Sequence, residues 1–427
     1  MTESRLAPWL SNSRWPTAPI RLVARLGSGH TPSRSKPEYW ENCTVPWITL
    51  ADVWQLRDGR TSVIADTKEM VSPLGLANSA AVQHPAGTVI LSRTASVGFS
   101  AIMGSDMATS QDFATWTCGP ELEPRYLLHA LRGMEPDLKR VATGSTHKTI
   151  YMPDIEQLRV PLPPLGEQRR IADFLDAETA RIDELMDLRR RQIALLRERA
   201  DVALTELFSQ ATGSREYRFR HLMRFNPCYG VLVPRFAEDG VPLIRVSNLG
   251  RLDNELDRLP RIETDQAVEY RRTRISPGDL LITVVGATIG RCDVAPLETD
   301  GFNVSRAIAR VQLIPGLSPW LMAAWVRGRQ FRIQAELATS GAAAQPALNM
   351  SDMAHFTVWL PETTKGRELL AERVSNQEKA VNSLLSAVEA QLSLLTERRQ
   401  ALITAAVTGQ FDVTTASGRN ATEGVTV

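Results

Sequence analysis

Five segments recur in the same order in the two halves of this chain, and that repetition limits what it can fold into. "VPWITLADV" at 45–53 matches "VPLIRVSNL" at 241–249, and "PAGTVILSRTASVG" at 85–98 matches "SPGDLLITVVGATIG" at 276–290. "EPRYLLHALRG" at 123–133 matches "SPWLMAAWVRG" at 318–328. "MPDIEQLRVPLP" at 152–163 matches "MSDMAHFTVWLP" at 350–361, and "LLRERADVALTELF" at 195–208 matches "LLTERRQALITAAV" at 394–407. One short match could be chance; five in order mark a structural unit made twice, each copy of about 200 residues.

Each half has the same plan. Short β-like runs such as "GTVILS" and "GDLLIT" lie between Gly, Pro and Asp punctuation, as strands between turns do. One amphipathic helical stretch, near 124–133 and again near 319–328, interrupts them. A long helical stretch closes each half. The expected fold is α+β, with two similar globules carried on two long helices.

The first helical stretch follows Pro161, Pro163 and Pro164, which cannot continue a strand ladder or a helix interior. Glu167 suits the positive end of a helix dipole, and no Gly or Pro stands between Glu167 and Thr212. Apolar positions Ile171 and Leu175 lead into Ile182, Met186, Ile193, Leu196, Ala200, Ala203 and Leu207, with Arg189 as the polar interruption. The second stretch runs Val381, Leu385, Val388, Leu392, Leu395, Arg399, Leu402 and Ala406. Spacings alternating four and three make a heptad seam. Two seams in one chain predict an antiparallel coiled coil of roughly 65–70 Å at 1.5 Å per residue, with a pseudo-twofold internal repeat. The alternative is that each helix packs on its own globule.

The expected boundaries are 1–164 and 213–362 for the globules, 165–212 and 363–412 for the helices, and 413–427 for a disordered polar tail.

Composition narrows the function classes. A net charge of +1 does not announce a nucleic-acid partner, although a local basic stripe can sit on a neutral protein. Cys43, Cys118, Cys228 and Cys292 form no close pair, so they read as reduced thiols rather than a zinc or redox motif. "MTESRLAPWLSNSRW" has no signal-peptide core, and no 18-residue apolar run spans a membrane. The expectation is a cytoplasmic protein. "FNPCYG" at 225–230 is similar to the Asn-Pro-Pro-Tyr motif of amino-methyltransferases, but Cys228 replaces the second proline and no Gly-rich cofactor loop accompanies it. There is no GxxxxGK[ST] loop for ATP and no paired His and acidic cluster for a metal nuclease.

Three stretches carry a family resemblance: "GHTPSRSKPEYWENCTVPWITLADV" at 29–53, "LRVPLPPLGEQRRIADFLD" at 158–176 and "LLTERRQALITAAVTGQFDV" at 394–413. With the duplication, they resemble the specificity subunits of type I restriction–modification systems, over nearly the whole chain. The resemblance implies that each globule is a target recognition domain reading one half of a split site in double-stranded DNA. It implies that the coiled coil spaces the globules and that the chain itself catalyses nothing. Partners would be methyltransferase subunits, one per half, and restriction subunits. Cofactors would be none in this chain: S-adenosylmethionine belongs to the methyltransferase subunits, ATP and Mg to the restriction subunits. Glu167 and Gln168 at the helix start, with Arg189 and Arg190, are the expected docking residues. The second helix, beginning "WLPETTKGRELLAERV", lacks the Glu-Gln pair.

Base readers need donors and acceptors on loops, with cations for phosphates. The first half offers Thr31, Ser33, Arg34, Lys36 and Tyr39 in one loop, Arg93 and Thr94 in "SRTAS", and Ser145, Thr146, His147 and Lys148 in "TGSTHK". The second half offers Arg245 and Asn248 in "IRVSNL", Asn303 and Arg306 in "FNVSR", and Gln345 in "TSGAAAQ". Thr283 and the run Arg271, Arg272 and Arg274 are further candidates. The competing reading of these residues is solvated turns, with Tyr39 and Trp40 tucked into the core. Two other functions remain open: a scaffold that bridges proteins without DNA, and an orphan specificity subunit without partners.

Overall fold

The structure is a computed structural model that describes residues 8–142, 148–250, 252, 256–340 and 346–413. The chain divides into two compact units, 1–190 with 389–427 and 191–388. Each unit combines a globule with a segment of both long helices, Leu165–Ser209 and Thr364–Val407.

In the first unit, a five-stranded sheet runs in the order Ala24–Ser28, Phe113–Cys118, Val89–Ser92, Ser100–Met103, Val63–Ile64. All neighbours are antiparallel except the last pair. A three-stranded sheet orders Glu69–Val71, Val45–Ile48 and Ala108–Thr109. Strand Val89–Ser92 is buried on both faces, so it reads as a continuous apolar run rather than an alternating one. Helix Pro124–Gly133 lays Leu127, Leu128 and Leu131 into one core with Val89, Trp116, Ile171, Leu175 and Leu402. The globule and its helical stem therefore share a core.

The second unit repeats the plan. A four-stranded sheet orders Cys228–Tyr229, Ile308–Val311, Leu280–Thr283 and Cys292–Val294. A second orders Phe236–Ala237, Arg261–Ile262, Val241–Ile244 and Asn303–Val304. Helix Pro319–Arg327 packs Leu321, Met322 and Trp325 against Leu280, Ile282 and Val294. Both globules also hold short helices that periodicity did not reveal. Glu135–Val141 and Met152–Glu156 are too short for a clear amphipathic pattern, and Arg329–Thr339 follows Pro319–Arg327 directly.

The expected seam is present within each unit. In the first, Phe174 meets Phe411 with ring centroids 5.6 Å apart, and Asp183 accepts a hydrogen bond from Arg399 Nε at 3.1 Å. Rising numbers on one helix meet falling numbers on the other, so the helices are antiparallel there. The polar seam position Arg399 is thus matched by a buried aspartate. In the second unit Leu204 and Leu207 pack in the same core as Leu370 and Val374, which extends the seam upstream of Val381.

The proline-rich stretch corrects one expectation. Pro161 does stand in a strand: Arg159–Pro161 pairs antiparallel with Thr17–Pro19, Thr17 opposite Pro161. It occupies the end of a two-stranded ladder, where a missing N–H costs least. Pro361 ends Thr357–Pro361 in the same way, opposite Ser214. The helix then starts at Leu165, and Gln168 turns inward. Fully buried, its Nε2 donates to the carbonyls of Glu121 and Pro163 at 2.8 and 2.9 Å, and its Oε1 accepts from the Glu123 N–H at 2.9 Å. In the second unit Arg367 Nε donates to the carbonyl of Pro361 at 2.8 Å. Arg367 thus bonds the proline carbonyl that matches the one Gln168 bonds.

Candidate nucleic-acid interface

Both units build their loop cluster with the same backbone hydrogen bonds. In the first, the Ser110 N–H donates to the Ile48 carbonyl at 2.9 Å, and the Arg93 N–H donates to the Asp112 carbonyl at 2.8 Å. Thr94 bridges Thr149, and the Ala95 N–H donates to the Lys148 carbonyl at 2.8 Å. Thr31 Oγ1 donates to Gln111 Oε1 at 2.7 Å. Three candidate stretches, near residues 31, 93 and 148, therefore converge on the turn Ser110–Gln111–Asp112.

In the second unit, the Ser305 N–H donates to the Ile244 carbonyl at 2.9 Å, and the Val284 N–H donates to the Ala307 carbonyl at 2.9 Å. Val285 bridges Ala347, and the Gly286 N–H donates to the Pro346 carbonyl at 2.8 Å. Ser305–Arg306–Ala307 is thus the structural counterpart of Ser110–Gln111–Asp112. A close approach recurs as well. A Cβ on Gly29 would lie 1.9 Å from the Thr109 carbonyl oxygen, and one on Gly230 1.9 Å from that of Val304. Only glycine fits either place. This also explains "FNPCYG": Cys228–Tyr229 is the strand leading to that glycine, paired with Ala309 and Arg310.

The proposed readers separate into exposed and buried groups. Ser33, Arg34, Lys36, Lys148, Arg245 and Arg306 are exposed. Arg34 lies over the Trp40 ring, 3.9 Å from its centroid, and bonds Glu69 at 2.7 Å. Thr31 is half-buried on Gln111. Thr94 is half-buried in its bridge. Arg93 is half-buried, with its Nε enclosed and unpartnered; its counterpart is the fully buried Val284. Arg271, Arg272 and Arg274 are exposed. Ser145, Thr146, His147 and Gln345 lie outside the described residues, as does the tail beyond Val413.

Four of the named side chains serve the fold. Tyr39 is buried, its hydroxyl 3.1 Å from Lys36 Nζ, so the core reading of this residue holds. Asn248 is buried and accepts from the Arg245 N–H at 2.9 Å, as Asp52 accepts from the Thr49 N–H at 2.8 Å. It caps a short helix. Asn303 is fully buried; its amide donates to the Tyr270 carbonyl at 3.2 Å and to Thr273 Oγ1 at 3.0 Å, tying down the turn that carries Arg271–Arg274. Thr283 is fully buried in its strand.

Of the residues expected to dock partners, Gln168 is enclosed, Glu167 is half-buried and bonded to Arg170, and Arg190 is exposed and bonded to Asp187 at 3.2 Å. Arg189 is half-buried and engaged. A clamp holds the first globule to its stem. Arg60 bonds Asp187 at 2.5 and 2.8 Å and the Asp183 carbonyl at 3.2 Å, while Arg399 Nη2 donates to the Gly59 carbonyl at 2.7 Å. Hydrogen bonding from Arg60 pulls the Asp187 carboxyl down to about 2. Among the described residues no group of His, Cys, Asp and Glu could hold a metal, and no helix is long and apolar enough to cross a membrane. The four cysteines are free.

Residues 12–194 match the family described as the type I restriction modification DNA specificity domain. The specificity subunit of the type I restriction enzyme EcoBI from Escherichia coli is 25% identical over 326 residues, 67% of this chain and 65% of the relative. Over these stretches the chain is similar to the type I restriction–modification specificity subunits. The corresponding subunit of MjaIX from Methanocaldococcus jannaschii is 26% identical over 184 residues, and that of EcoR124I/EcoR124II from Escherichia coli 25% over 193. Those matches cover 41% and 46% of the relatives, so the chain matches under two thirds of the length of each of the three. The fold extends further than the sequence match. A chain solved in a study of complex assembly and conformational transition of the type I R-M system aligns at TM-score 0.68 and 20% identity, over 95% of this chain and 99% of its own. The HsdS subunit from Thermoanaerobacter tengcongensis aligns at TM-score 0.51 and 20% identity, over 96% and 100%.

Sequence reasoning missed Gln111. The signal was present: "ATSQDFA" at 108–114 matches "NVSRAIA" at 303–309, a sixth repeated segment.

Proposed function

We propose that this chain is the DNA-reading subunit of a type I restriction–modification complex, each globule recognising one half of a bipartite, asymmetric site. The observation that carries the reading is the repeated loop cluster. The backbone bonds are the same in both units, while the side chains differ: exposed Gln111 against exposed Arg306, and buried Thr49 against exposed Arg245. One framework with two sets of polar side chains is what two different half-sites on one scaffold require.

The remaining parts follow. Methyltransferase subunits dock along the exposed helix faces, one per half, with Arg190 among the residues they meet. S-adenosylmethionine is theirs, and ATP and Mg belong to restriction subunits where these join. The long helices act as the ruler, because half-sites on one DNA face lie about one turn, roughly 34 Å, or a multiple apart.

The test is exchange of residues 1–160 for those of a relative in the intact complex, followed by a base-resolution map of methylated adenines. One half of the recognised sequence should change and the other persist. A change in both halves would refute independent readers. An unchanged map, together with DNA binding that lacks the salt dependence of counterion release, would favour a protein-bridging scaffold.

A further inference from the structure

We propose that Gln111 and Arg306 are the structurally equivalent base-reading residues of the two globules, and that their difference makes the half-sites differ. The proposal rests on the DNA-reading function above. It assigns an amide reader, and so an adenine, to the first half, and a guanidinium reader, and so a guanine, to the second.

The equivalence comes from the backbone. Each residue sits between two anchored neighbours. Ser110 and Ser305 donate to the carbonyls of Ile48 and Ile244, and Asp112 and Ala307 accept from the N–H groups of Arg93 and Val284. The anchoring strands belong to different sheets in each unit, so the turn is fixed from both sides. Ser110 Oγ adds a 3.0 Å bond to Asp112 Oδ2 in the first unit. The Arg306 N–H adds a 2.9 Å bond to the Val231 carbonyl in the second. The backbone is held while the side chain is exposed.

The side chains have the chemistry that base edges need. Thr31 Oγ1 occupies one lone pair of Gln111 Oε1 at 2.7 Å. This orients the amide and leaves Nε2 and the other Oε1 lone pair unused among the described residues. A donor and an acceptor side by side match N7 and the N6 amino group of adenine. Arg306 makes no side-chain hydrogen bond or ion pair among the described residues, so its fork of donors is available for O6 and N7 of guanine. Three exposed cations of the first globule suit phosphates better. Arg34 is committed to Glu69 and Trp40, and Lys36 and Lys148 are point charges.

The experiment uses the complex co-expressed with its methyltransferase subunits and a pool of randomised duplexes, bound and sequenced. Gln111→Arg should change one base in one half-site, and Arg306→Gln one base in the other. Arg306→Ala should relax discrimination at that base by about 5- to 140-fold, the loss expected for one bidentate contact. Arg306→Lys, which keeps the charge but not the fork, should relax it as well. Both side chains are on the surface, and thermal melts of each variant should match the parent. An unchanged preference in both exchanges would overturn the proposal while leaving globule-exchange results, and so the DNA-reading function, intact. So would uniform weakening at all sequences with a shallower salt slope, which marks a phosphate contact. A parent complex without any sequence preference would overturn both.

Discussion

Gln168 gives the sharpest physical test of how the first globule is joined to its helix. Replacing it with Met keeps length and flexibility but removes three hydrogen bonds, with the Glu121 carbonyl, the Glu123 N–H and the Pro163 carbonyl. The site is fully buried, so water cannot replace them. At about 1 kcal/mol net per bond, the local cost is about 3 kcal/mol. The replacement should therefore raise the local opening constant about 140-fold. Hydrogen-exchange mass spectrometry reads this as faster exchange in peptides covering 119–124 and 163–170. Peptides from the second unit serve as the internal control. Binding of methyltransferase subunits by the folded variant should change far less, because the side chain faces the globule. A change in exchange below about 5-fold, or normal exchange with lost docking, would refute the structural role and restore Gln168 as a docking residue.

Three further outcomes are expected. Asp183→Ala removes the partner of Arg399, a nearly buried pair with side chains 12% and 16% exposed, and should cost about 3 kcal/mol; converting both residues to Leu should recover most of it, as a denaturation double-mutant cycle would show. Ala95→Gly should stabilise by about 0.5–1 kcal/mol, since Ala95 has φ +58° where its counterpart Gly286 has φ +88° and the left-handed region penalises a Cβ; a lowered melting temperature would contradict this. His129, buried and 2.8 Å from Asp176, is held below its ordinary 6.5 because burial outweighs the carboxylate's upward pull. The unfolded chain then takes up a proton that the fold refuses, so stability is full above about pH 6.5 and falls as pH drops below it; His129→Gln should flatten that slope in melts from about pH 7.5 to 5.

Much of the architecture was legible because it was written twice. Segments such as 45–53 and 241–249 could be aligned without coordinates, and the strands, the buried helices and both seams lie where those alignments put them. Heptad spacing was equally readable, since every turn of a long helix repeats the same demand on its apolar face. Short helices such as Glu135–Val141 were not, because fewer than two turns carry no periodic signal.

The site was legible only as a set of loops. Composition nominated Asn248, Asn303 and Tyr39 for their polar groups, but a side chain's direction depends on what packs around it. All three turned inward, to cap a helix, tie down a turn and fill a core. Gln111 was passed over although its repeat partner Arg306 was named, because glutamine in a short turn carries no local mark.

By itself the sequence determined the duplication, the two helical seams and the α+β class, since these follow from patterns repeated along the chain. Tertiary structure decided which loops meet. Residues near 31, 93 and 148 are far apart in sequence; hydrogen bonds to the turn Ser110–Gln111–Asp112 join the first two, and bonds from the stretch near 93 join the third. It also decided what Gln168 does. Burial leaves three backbone groups beside it without water, and its amide is the group that can satisfy them.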